Sequence, residues 1–160
     1  MRKRIIEPGR PAVSGSDPGE LDLLAIATAL VTSEAPDHPV ENAFDGSSGQ
    51  TASRWIAGAP GEQTLILQFD SPQLIRRVDL EVWEEDATRT QELALSVSAD
   101  GGHTYRELLR QEYNFSPPAT VCERESWSTT APGTTHLRLW IKPDKGGRAC
   151  PVRVTALRIW

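Results

Sequence analysis

Cysteine is almost missing from this chain: Cys122 and Cys150 are the only two in 160 residues. Neither stands in a CxxC pair, and the three histidines lie far apart, so no zinc-binding spacing exists. Without a disulfide framework the fold must rest on an apolar core, and the two thiols are expected reduced and free; a bridge between them is the alternative. Long hydrophobic runs are also lacking, which excludes a membrane-spanning helix. MRKR opens like a signal peptide, but Ile5 and Ile6 give way at once to Glu7, Pro8 and Gly9. With no apolar region behind the basic start, a cytoplasmic location is expected. Basic charge is in deficit, 17 Lys and Arg against 22 Asp and Glu, a net of −5. Arg2, Lys3 and Arg4 hold three of those positive charges, so the remainder carries 14 against 22, or −8. A body this acidic repels phosphate, and no nucleic-acid partner is expected. The sequence contains no GxSxG, HExxH or P-loop spacing. The carboxylates at Glu84-Glu85-Asp86 and at Glu123/Glu125 read as solvated loop clusters, so no catalytic residue is assigned.

What is present is a short-period pattern. Leu65, Leu67 and Phe69 alternate with Ile66 and Gln68, and Val78, Leu80 and Val82 alternate with Asp79 and Glu81. Leu93, Leu95 and Val97 do the same, then Asp100-Gly101-Gly102 marks a hairpin, with a return strand over about Thr104 to Leu109. Leu137, Leu139 and Ile141 form another strand. In the last stretch, Val152 to Trp160, the phase slips near Ala156, which predicts a bulge. Upstream, residues 1–19 read as a flexible lead-in, rich in Pro, Gly and Ser from 7 onward, and residues 20–160 as one domain. Asp17, Pro18 and Glu20 predict a short helix over Pro18 to Leu24. Ala25 to Thr32 reads as a first strand or as an extension of that helix. Many short alternating strands with Gly/Pro turns predict an all-β, antiparallel sandwich or barrel. The longest connections are Ser33 to Trp55, Glu84 to Thr90 and Tyr113 to Ser126, and long loops on a strand scaffold carry binding.

NAFDG, a later RW, LILQFDSPQLIRRVDLEV, ELALSVSADGGHTY and THLRLWI occur in this order. The ordered set resembles the coagulation factor V/VIII type C (discoidin-like) domains, which include the family 32 carbohydrate-binding modules. The resemblance covers about Ala25 to Trp160. It implies a galactose-binding-like jelly-roll β-sandwich of two antiparallel sheets. It also implies a structural Ca²⁺ held by the Asp45 carboxylate, main-chain oxygens near Asn42 and Ser47, and Ser53. The family's acidic position in the last strand falls at about Ala156, which has no carboxylate. Read from the residues alone, Asp45 can instead cap its own turn.

Several aromatic and charged side chains fit a ligand site. Strand parity puts Trp83 on a polar face, beside Glu84, Glu85, Asp86 and Arg89. A pyranose site stacks a ring on sugar C–H groups while acids and Arg hold hydroxyls; the alternative is an indole lying across the outer sheet. Tyr113, Phe115, Arg124 and Trp127 supply contacts in the Tyr113–Trp127 segment, or else anchor it to the core. His38 lies in the Glu34–Pro39 loop, as a ligand contact or a solvated side chain. Trp55 is expected in the core and Trp140 under a loop or the N-terminal segment, while His103 and His136 receive no role. The predicted function is a non-catalytic binding module for a carbohydrate or similar polar ligand, held by loops at one end. Its candidate contacts are His38, Trp83, Glu84, Arg89, Tyr113 and Trp127. The alternative is an intracellular protein-interaction adapter, or a component of a larger particle, using the same loops.

Overall fold

The structure is a computed structural model and describes residues 19–160. The lead-in and the Asp17-Pro18 helix start lie outside the described residues. Among them the order is α1 (Leu23–Ile26), β1 (Ala27–Val31), a 3-10 turn (Val40–Phe44), β2 (Trp55–Pro60), β3 (Gln63–Trp83), β4 (Arg89–Ser98), β5 (Arg106–Phe115), β6 (Cys122–Lys142), β7 (Pro151–Val154) and β8 (Ala156–Ile159). Every strand pairing is antiparallel. Sheet order is β1-β3-β6-β4-β5 with β8 also on β3, while β2 and β7 pair separately.

β3 and β6 are each 21 residues and pair along their whole length, from Gln63 opposite Ile141 to Trp83 opposite Cys122. The register breaks between Gln68 and Arg77. Pro72 sits in that gap, where a missing N–H weakens a ladder. Parity flips across it: Leu65, Leu67 and Phe69 are buried before, Val78, Leu80 and Val82 after. The ribbon thus bends from one layer to the other. One half joins β1, β4 and β5, and the other joins β8, giving two antiparallel layers face to face. Leu65, Leu80, Val97 and Leu139 share the single core cluster with Trp55, which is 1% exposed. Trp55 Nε1 donates to the Ser33 carbonyl at 3.1 Å, so the buried indole is satisfied.

Four expectations change. The helix is one turn over Leu23–Ile26, and Asp22 caps it without a side-chain bond; Ala27–Val31 is the first strand. The slip near Ala156 is a change of partner: β7 lies on β2, β8 on β3, and the buried Thr155 between them donates its N–H to the Glu81 carbonyl at 2.9 Å. The return strand after the Asp100 hairpin runs on to Phe115. Tyr113 and Trp127 therefore lie in strands β5 and β6, and only residues 116–121 connect them. Cys122 and Cys150 are free thiols. No helix among the described residues is long and apolar enough to cross a membrane.

Candidate functional site

The ends of β3, β4, β5 and β6 carry an interior that is polar rather than apolar. Glu84 is fully buried and Arg89 is 3% exposed. Arg89 Nε donates to Glu84 Oε1 at 2.7 Å, and Nη1 donates to Gln91 Oε1 at 3.1 Å and to the Pro143 carbonyl at 2.9 Å. Gln91 Nε2 donates in turn to Glu123 Oε2 at 2.9 Å, and Gln111 Nε2 donates to Glu123 Oε1 at 3.1 Å. Burial first, then the neighbouring Glu125 carboxylate, push the Glu123 carboxyl up to about 7. The Arg89 guanidinium also lies 4.6 Å over the Phe115 ring, and Phe115 packs 4.9 Å from Tyr113. Tyr113 donates its hydroxyl to the Cys122 carbonyl at 2.6 Å.

Three of the six predicted contacts, Glu84, Arg89 and Tyr113, thus fall in one cluster. Glu84 is spent on Arg89 and offers no exposed oxygen, and the Tyr113 hydroxyl is spent on the backbone. The other three stand elsewhere. Trp127 is half-buried on the inner side of β6, opposite Val78. Trp83 is half-buried beneath Arg124, whose guanidinium is 5.5 Å from the ring, and its Nε1 is buried without a partner. His38 lies in the Ser33–Arg54 connection, where its carbonyl accepts from Ile56 N at 3.2 Å.

Above the cluster opens a cleft of about 660 Å³. Arg89 and Phe115 form its floor, and Asn114, Asp144, Lys145 and Arg148 part of its rim. The rim is built by a turn. Asp144 Oδ1 accepts from Thr90 N and Oδ2 from Arg148 N, both at 3.0 Å, and these amides hold its carboxyl below the usual range. Gly147 at φ +82° closes the turn with an N–H to the Asp144 carbonyl, a conformation that side chains resist. Lys145 pairs with Glu112, Thr90 Oγ1 donates to Asn114 Oδ1 at 2.8 Å, and Arg148 Nη1 donates to the Thr88 carbonyl at 2.7 Å. Sequence reasoning missed these rim residues. The Pro143-Asp144-Lys145-Gly146-Gly147 run was the available signal, since such a string encodes a tight turn.

The Asp45 loop closes on itself. Asp45 Oδ1 accepts from Ser47 N at 2.9 Å and from Ser47 Oγ at 2.5 Å, and Oδ2 accepts from Ser53 Oγ. Burial raises the Asp45 carboxyl, but these donors outweigh it and the net direction is down. Asn42 Nδ2 donates to the Arg54 carbonyl at 3.2 Å. A second, smaller groove of about 300 Å³ lies across β3 and β6, next to Ser48. Two of its carboxylates are engaged: Arg124 Nε donates to Glu81 Oε1 at 2.7 Å and Ser126 Oγ donates to Asp79 Oδ1 at 2.6 Å.

The F5/8 type C domain model matches residues 27–149. The chain belongs to that family. Solved structures agree on the fold of this F5/8 type C domain. Chitosan-binding module 1 from a chitosanase/glucanase of Paenibacillus sp. IK-5 is 21% identical with a TM-score of 0.59, over 88% of this chain and 98% of that one. The family 32 carbohydrate-binding module of C. perfringens NanJ, in complex with galactose, is 12% identical with a TM-score of 0.60, over 88% and 96%. The corresponding module of AlyQ, in complex with 4,5-unsaturated mannuronic acid, is 18% identical with a TM-score of 0.57, over 84% and 95%. Among curated proteins none matches the chain.

Proposed function

We propose that this F5/8 type C domain is a non-catalytic carbohydrate-binding module and that its ligand sits in the Arg89 cleft. The observation that carries the reading is the cleft itself: about 660 Å³, open, underlain by the buried Arg89–Phe115 stack and rimmed by polar side chains such as Thr88, Asn114, Ser116 and Arg148. That combination suits a sugar, which offers hydroxyls to the rim and an apolar ring face below. Three relatives of this fold are described by the sugars they bind: chitosan, galactose and an unsaturated mannuronic acid. Glu84 and Tyr113 act here as supports: Glu84 orients Arg89 directly, and Tyr113 backs the Phe115 ring beneath it. A glycan array probed with the full chain tests the proposal. Retention on at least one glycan class, weakened tenfold or more by Asn114→Ala with Arg148→Ala, is the expected result. An array on which nothing is retained overturns it.

A structural calcium in the Asp45 loop is a separate proposal. The donor set suits a hard cation in kind, because Asp45, Ser47 and Ser53 bring only oxygens together. Their hydroxyls would turn to present lone pairs, with the Asp45 carboxylate supplying the charge. The ion would fix the loop ahead of Trp55, a scaffold role away from the Arg89 cleft.

A further inference from the structure

We infer that Glu81 on β3 supplies the second carboxylate for a calcium ion in the Asp45 loop, and that Arg124 competes with the ion for it. The inference rests on the calcium reading and adds to it a residue from outside the loop.

A calcium ion takes about six to eight oxygens and carries two positive charges. The loop itself brings one carboxylate, Asp45, with the Ser47 and Ser53 hydroxyls beside it. One carboxylate of the scaffold touches the same loop. Glu81 Oε2 accepts from Gly49 N at 2.9 Å, and Gly49 lies between Asp45 and Ser53. Strand register sets this contact. Glu81 is the cross-strand partner of Ala156, so the last strand puts only a methyl group beside it. The other two acids of the neighbouring groove are placed differently. Asp79 Oδ1 accepts from Ser126 Oγ at 2.6 Å and lies 3.2 Å from Arg77 Nε. Glu125 is paired with the buried Leu80 and shares its inward parity.

Glu81 is 8% exposed and holds one amide and one guanidinium. These fill two of about four lone-pair sites on a carboxylate, which leaves oxygen capacity for a cation. The guanidinium is the removable partner. Arg124 Nε donates to Glu81 Oε1 at 2.7 Å, yet the Arg124 side chain is 63% exposed. An ion pair with so solvated a partner gains little and exchanges easily. With Arg124 turned to water, Asp45 and Glu81 balance the two charges of the ion. With Arg124 in place, its charge cancels that of Glu81 and repels the ion.

Calorimetric titration of calcium chloride into the chelator-treated full chain tests this. Glu81→Gln keeps an acceptor for Gly49 N and removes the charge, and its calcium Kd is expected to rise at least tenfold. Arg124→Gln removes the competitor, and its Kd is expected to fall severalfold. A purely structural ion pair predicts the same sign for both variants, since each breaks the same contact. Glu125→Gln makes the same charge change at the inward position and is expected to leave Kd within twofold. Circular dichroism confirms that each variant is folded, and Arg124→Gln carries the test should Glu81→Gln fail to fold. Calcium binding that is unchanged in Glu81→Gln, or weakened as much by Glu125→Gln, overturns the inference while the calcium reading stands. So does an Arg124→Gln affinity no higher than the parent's. A parent chain that takes up no calcium overturns both.

Discussion

Glu123 has no exposed atom, and its two oxygens are met by amides, not by a cation. The Arg89 charge favours its ionised form, while Glu125 on the same strand opposes it. The folded carboxyl titrates near 7 against an ordinary 4.5, so between those values the native state holds a proton that the unfolded chain releases. Stability contributed by this group therefore falls as pH rises from 4.5 towards 7. The loss is at most about 3 kcal/mol. Glu123→Gln is expected to flatten that slope, and urea unfolding of parent and variant at pH 5 and pH 8 checks it; parallel slopes would refute the assignment. Single residues were only partly legible in the sequence. Asp45, Ser47 and Ser53 meet where the family resemblance grouped them, because they lie in one short loop. Arg89 on β4 and Asn114 on β5 meet Arg148 from the 143–150 connection, and no local spacing announces that.

At the scale of elements, the position of β2 depends on a missing side chain. A Cβ on Gly58 would stand 2.7 Å from the Glu34 carbonyl oxygen, and backbone cannot yield as a side chain does. Gly58 N also donates to Ser33 Oγ at 3.0 Å, and Ala35 N donates to the Ile56 carbonyl at 2.8 Å. Gly58→Ala is expected to push β2 from the 33–38 connection and cost about 1–3 kcal/mol. An unchanged denaturation midpoint would show that the loop absorbs the methyl freely. The central strands were readable because their inward residues are aliphatic and alternate cleanly with polar ones. The end of β5 and the start of β6 were not. Their inward positions include Gln111, Tyr113, Glu123 and Glu125, so a buried polar interior resembles a solvated loop when only polarity is counted. The bent ribbon hid in the same way: the parity change in β3 looks like two strands and a turn.

For the whole molecule, the calcium proposal has a direct readout. An ion that binds only the folded chain raises stability by RT ln(1 + [L]/Kd), about 2.7 kcal/mol at a hundredfold excess over Kd. Melting in millimolar calcium is expected to lie several degrees above melting in chelator, and coincident curves remove the ion from the loop. Asp45→Asn should abolish the difference. The two-layer architecture was foreseeable because alternating strands leave one greasy side each. Which strands would belong to both layers was not, since that choice is made by register.

The shared strands β3 and β6 also govern how the molecule comes apart. A force that prises the layers like the covers of a book acts on a spine made of both. Neither cover can detach while that spine holds, and once it tears neither retains a complete set of neighbours. Proteolytic halves of this molecule should therefore fail to persist as folded fragments.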